Sequence, residues 1–169
     1  ILRHGDGDRG GKGAQPHALG GGLFEAQHPG SFADFKARAQ GNLFVNLVPL
    51  IGQGSVRAGL TGYDPAPSTA EQIEKELTYV REAMEGGAFG GSLGFMYEPD
   101  RYAGKDEVLA FAKEIAKYGG ILTVHPRACS AVSADYPLLT RKSHLELGLD
   151  EVIDIMKQTG VRAEYSHLI

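Results

Sequence analysis

The chain has one cysteine (Cys129), no tryptophan, and no apolar run approaching the roughly 20 residues that span a bilayer. A lone thiol cannot form an internal disulfide, which fits a reducing compartment and sets a cytoplasmic expectation. Positive charge is not in excess either. Seventeen Lys and Arg against 21 Asp and Glu leave a net charge of −4. That balance gives no electrostatic reason to expect nucleic acid or an anionic membrane as partner. Ile1 to Arg9 are polar and Gly-rich and do not read as a signal peptide. Because residue 1 is Ile rather than Met, we expect a piece of a longer protein.

Glycine is abundant, at 24 residues, nine of them in the first 30 positions. Residues 1–30 show no hydrophobic period and read as a Gly-rich loop or poorly ordered segment. Gly5-x-Gly7 and Gly11-x-Gly13 have no strand in front of them, so they make weak phosphate loops.

From residue 31 the pattern becomes regular. Ser31 caps a short helix to Ala39. Asn42 to Ile51 is largely apolar and reads as a buried strand, with Pro49 near its end because proline cannot donate to a ladder. Gly52 to Pro67 reads as loop. Ser68 and Glu71 have capping-box spacing, ahead of a helix with Ile73, Leu77, Val80 and Met84 on one face. Gly86 and Gly87 stop it, and Ala88 to Leu93 reads as a strand of small residues. A second helix runs from Lys105 to Tyr118, with Val108, Phe111, Ala112 and Ile115 inward. Ile121 to His125 is a compact strand. After a long loop comes a helix from Leu149 to Gln158, with Leu149, Val152, Ile153 and Met156 as its stripe. Gly160 caps it, and Val161 to Ser166 is the last strand.

Strands alternating with helices mean βαβ units and a parallel sheet. The turns before strands are short and Gly-rich, and the connections after strands are long. In a (β/α)₈ barrel the loops after the strands build the active site. His125 and His167 each close a predicted strand. Neighbouring parallel strands lie about 4.8 Å apart, so two imidazoles at their carboxyl ends can reach one ion, and neutral imidazole suits Zn²⁺. Each histidine could equally be a polar strand cap bonded to a loop carbonyl.

Five segments, in order, carry a resemblance. Leu47 to Arg57 (LVPLIGQGSVR) is similar to a G-H-G-x-L-R segment. Glu82 to Gly94 (EAMEGGAFGGSLG) is similar to an EAG-A-x-G-L-S-x-G stretch. Tyr97 to Ala103 (YEPDRYA) resembles Y-x-P-G-x-Y-A. Tyr118 to Arg127 (YGGILTVHPR) resembles H-G-G-x-Y-x-T-H-x-R, and Thr159 to Leu168 (TGVRAEYSHL) resembles T-G-x-x-x-x-x-S-H-x-K. Together these resemble the N-acyl-D-amino-acid deacylase (D-aminoacylase) branch of the amidohydrolase superfamily, across roughly residues 31–169.

The resemblance implies an α/β fold: a partial TIM-like (β/α)₈ barrel of about four βα units, preceded by the Gly-rich segment. It implies zinc-dependent hydrolysis, as part of a longer enzyme, of the amide of a small N-acyl-D-amino acid or a related small amide. It places His125 and His167 among the metal ligands and Tyr97, Ser92 and Arg127 in substrate-binding motifs. Zinc would polarise the scissile carbonyl and activate water.

The departures are specific. The first-strand His-x-His pair and the early cysteine ligand have no counterpart. His4, His17 and His28 stand isolated in the Gly-rich stretch, and Cys129 follows His125. Gln53 stands where the family has histidine, Gly91 replaces an apolar residue, and Ile169 stands where a lysine follows Ser-His. No catalytic acid or base is assigned within the chain, since Asp135, Asp150 and Asp154 do not match the family's aspartate. Two alternatives remain: a non-catalytic barrel fragment or interaction module, and a dihydroorotase-like cyclic amidase. An open half barrel exposes sheet edges, so a homo-oligomer is expected.

Overall fold

The computed structural model describes residues 31–167. The Gly-rich stretch 1–30, with His4, His17 and His28, and residues 168–169 lie outside the described residues. The elements run α1 (Phe32–Ala39), β1 (Leu50–Gly52), α2 (Gln53–Thr61), α3 (Ala70–Glu85), β2 (Gly90–Gly94), a 3₁₀ turn (Asp100–Tyr102), α4 (Lys105–Lys117), β3 (Ile121–His125), α5 (His144–Thr159) and β4 (Arg162–Tyr165). The strands form one parallel sheet in the order β1-β2-β3-β4.

Burial alternates along β3. Leu122 and Val124 are fully buried, while Ile121, Thr123 and His125 are half-buried. The period of two sorts the sheet into a helix-covered face and a mouth-lining face. The register sets Ser92 beside Thr123 and Gly94 beside His125 on the second face. The helix side packs Leu93, Leu122 and Val124 against Val80, Ala83, Phe111, Ala112, Ile115, Val152 and Ile155. The four expected inward residues of α4 are all buried.

Some expectations need correction. The strand expected over 42–51 shrinks to Leu50–Gly52, and Leu43, Phe44, Val45, Leu47 and Val48 are exposed. Pro49 has no N–H to offer a ladder, and it joins only by accepting from the Phe89 N–H at 2.9 Å. The loop expected from Gly52 to Pro67 contains α2, in which burial of Val56 and Arg57 overrides the weak helix propensity of glycine.

The α3 cap is Thr69 with Gln72, one residue beyond the Ser68–Glu71 pair. Ser68 is occupied, its hydroxyl accepting from Arg57 Nη1 at 2.6 Å. Helix α5 begins earlier than expected, at His144, capped by Ser143 with Glu146. Its buried line is His144, Gly148, Val152 and Ile155, while Ile153 and Met156 are exposed. The helix is rotated from the expected stripe because its first turn is tied to the preceding loop. There, His144 Nδ1 accepts from the Ser133 N–H at 2.6 Å, and Nε2–H donates to the Pro137 carbonyl at 3.0 Å.

Candidate functional site

Two imidazoles meet at the carboxyl end of the sheet. His125 is the last residue of β3, and His167 follows β4 by two residues. Their ring centroids are 4.9 Å apart at 66°. His167 has φ 60°, in the left-handed region that a non-glycine residue enters at about 1 kcal/mol or more. The Ser166 N–H still bonds the Val124 carbonyl at 2.9 Å. Ladder pairing is therefore kept up to the residue before the histidine.

His125 has two further neighbours, both from the turn after β2. The Tyr97 ring lies 4.9 Å from it, and Met96 Sδ contacts Nε2 at 3.2 Å. Partial burial, then the facing His167, lowers the His125 pKa below the usual imidazole value. That direction favours the neutral ring, the form that offers a lone pair to a metal.

The turn is pinned from below. Asp100 Oδ2 accepts the Gly94 N–H at 2.6 Å, and the Tyr97 N–H bonds the Gly94 carbonyl at 2.8 Å. Burial raises the Asp100 pKa to about 6, against the lowering effect of the Gly94 N–H. Gly54 is required here, because a Cβ on it would come within 2.8 Å of Asp100 Oδ1.

Ser92 lies on the mouth face of β2, beside Gly52 of β1. Tyr97 is 61% exposed and forms one wall of the mouth. Arg127 is placed differently. Its Nε donates to Glu151 at 3.0 Å, Nη1 donates to the Arg101 carbonyl at 3.0 Å, and its guanidinium covers the Phe95 ring at 4.6 Å. It borders a separate depression with Lys105, Val108 and Asp154. Cys129 is half-buried and lies near Tyr165.

Beneath the mouth is a buried polar cluster that sequence reasoning missed. Arg57 and Glu107 are each 1% exposed and pair at 2.6 Å. Gln53 Nε2 donates to Glu107 at 2.7 Å, and Arg57 also reaches the Ala66 carbonyl at 2.7 Å. Burial and then the Glu107 charge push the Glu76 pKa up to about 9. A signal existed: Glu76 lies four residues before buried Val80, and Glu107 four before buried Phe111, each on its helix's apolar line.

Zinc with Zn–N bonds of about 2.0–2.1 Å in tetrahedral geometry sets two imidazole centroids about 5 Å apart. The His125–His167 pair fits that spacing. Among the described residues, however, no group of three or more His, Cys, Asp or Glu could hold a metal ion. By itself the pair falls short of the three or more protein groups that a zinc site takes.

No family model matches the chain. A curated D-aminoacylase of Alcaligenes xylosoxydans xylosoxydans is 26% identical over 123 residues, 73% of this chain and 23% of that protein. An N-acyl-D-glutamate deacylase of the same organism is 30% identical over 125 residues, again 73% and 23%. A solved N-acyl-D-glutamate deacylase from Bordetella bronchiseptica holds zinc and a phosphonate mimic of the tetrahedral intermediate. It matches with TM-score 0.67 and 25% identity over 79% of this chain and 26% of that one. The chain spans 23% to 26% of the length of the curated relatives it matches.

Proposed function

Starting from a chain of which 73% to 81% is a D-aminoacylase-like region with the fold of a partial TIM-like barrel, we propose that it forms part of the active-site mouth of a longer, zinc-dependent amidohydrolase. The substrate is an N-acyl-D-amino acid, and the bond cleaved is its amide. The observation that carries this is the meeting of His125 and His167, with ring centroids 4.9 Å apart, at adjacent parallel strand ends. A bound zinc supplies Lewis acidity toward an amide carbonyl and toward water.

This chain's residues divide the remaining work. His125 and His167 hold the ion, with the neutral state of His125 favoured by its partial burial. Tyr97 and Ser92 border the space where substrate lies. Arg127 supports that wall from behind, through Phe95 and the Arg101 carbonyl. We assign no catalytic acid or base to the described residues.

Metal analysis tests the proposal. Wild-type protein should retain zinc, and the His125→Ala, His167→Ala double variant should lose it while keeping its circular dichroism spectrum. Unchanged zinc content in a folded double variant would remove the ligand assignment and the hydrolase reading with it.

A further inference from the structure

A cavity of about 720 Å³ opens above the ends of β1 and β2. Its floor is Gly52 and Ser92, one wall is Ser55 and Tyr63, and the other is Tyr97 with Glu98 and Asp100. Tyr97 also packs on His125, so the cavity adjoins the imidazole pair. The volume accommodates an amino-acid side chain together with ordered water.

The chemistry of the lining is one-sided. Two carboxylates border the cavity, and no lysine, arginine or histidine does so among the described residues. Glu98 is exposed and accepts from the Tyr102 hydroxyl. Asp100 is 6% exposed, and its Oδ1 has no hydrogen-bond partner. Arg57 and Arg127 lie behind Asp100, each paired with another carboxylate, Glu107 and Glu151.

We infer that this cavity receives the substrate's side chain and selects an uncharged or basic one that donates hydrogen bonds, rejecting glutamate and aspartate. The inference rests on the deacylase reading. It separates this chain from relatives named for N-acyl-D-glutamate and N-acyl-D-aspartate. An acidic side chain would face Glu98 with like charge, and no cation of the lining among the described residues would offset it.

The test compares N-acetyl-D-glutamine with N-acetyl-D-glutamate, which share shape and differ in charge, on the full-length metal-loaded protein. The glutamine compound should have the higher kcat/KM by about tenfold or more, the size of one like-charge contact in a partly wet site. Glu98→Gln should narrow that ratio, chiefly through a lower KM for the glutamate compound. Equal or faster turnover of the glutamate compound would overturn the inference and leave the deacylase reading standing. A ratio unchanged in Glu98→Gln would overturn the role given to that carboxylate. Hydrolysis of neither compound would overturn both readings.

Discussion

Replacing Glu107 by glutamine should unsettle the ground on which the mouth stands. The Glu107 carboxylate accepts from Arg57 Nη1 at 2.6 and 2.7 Å and from Gln53 Nε2 at 2.7 Å. An amide keeps one acceptor and turns an NH₂ group toward donors that already point inward. The guanidinium is then left buried without its counter-charge, beside an Nε that has no partner. Breaking a buried pair in this way costs about 3–5 kcal/mol. Urea denaturation followed by circular dichroism measures it.

The companion experiment is the double variant Arg57→Leu, Glu107→Leu. It removes both charges, so its loss should fall short of the summed losses of Arg57→Leu and Glu107→Leu made singly by about 2 kcal/mol. A Glu107→Gln loss under about 1 kcal/mol, with coupling near zero, would show the pair to be wet and the reasoning wrong.

Glu76→Gln should raise stability at pH 8 and leave it nearly unchanged at pH 5. A carboxyl whose pKa is pushed from 4.5 to about 9 on folding binds more protons in the native state, so stability falls as pH rises between those values. Urea midpoints at the two pH values check the sign, and Glu107, Asp100, Arg57 and Gln53 are the groups that face it. Thr69→Ala should destabilise by about 1 kcal/mol and Glu71→Ala by less than about 0.5, since the hydroxyl that caps α3 belongs to Thr69. A Cβ at Gly90 would come within 1.9 Å of the Ile121 carbonyl oxygen. Gly90→Ala should therefore cost about 3 kcal/mol or more, seen as a lowered melting temperature.

Where local chemistry decides an element, the chain was readable. The β-branched run Ile121 to His125 forms a strand with both ends as expected, and Gly160 adopts the left-handed C-cap conformation. The stripe of α4 was legible because apolar spacing and burial coincide there. Helix α2 was not, since its glycines argue for loop and only its partners in space argue otherwise. Nor were the buried charges, because a carboxylate within a helical period reads as solvated until its counter-ion is seen fifty residues away. At the site, the strand-end position marked His125, while Tyr97 was singled out through the resemblance. Met96 and Asp100 had no local signature. Their places follow from a turn whose shape depends on Gly94 and Gly54 together.

The glycines of β2 make that strand a spacer of fixed thickness. Phe111 stands 2.6 Å from where a Cβ on Gly91 would be, and Tyr97 stands 3.2 Å from that of Gly94. At those two positions the ribbon has no side chain of its own to yield when a neighbour presses on it. A modest reshaping of α4, such as Phe111→Leu, would be passed straight through to β3 and should appear as a changed spacing of the imidazole rings. The spacing at the mouth would then answer to Phe111, a residue packed on the opposite face of the sheet.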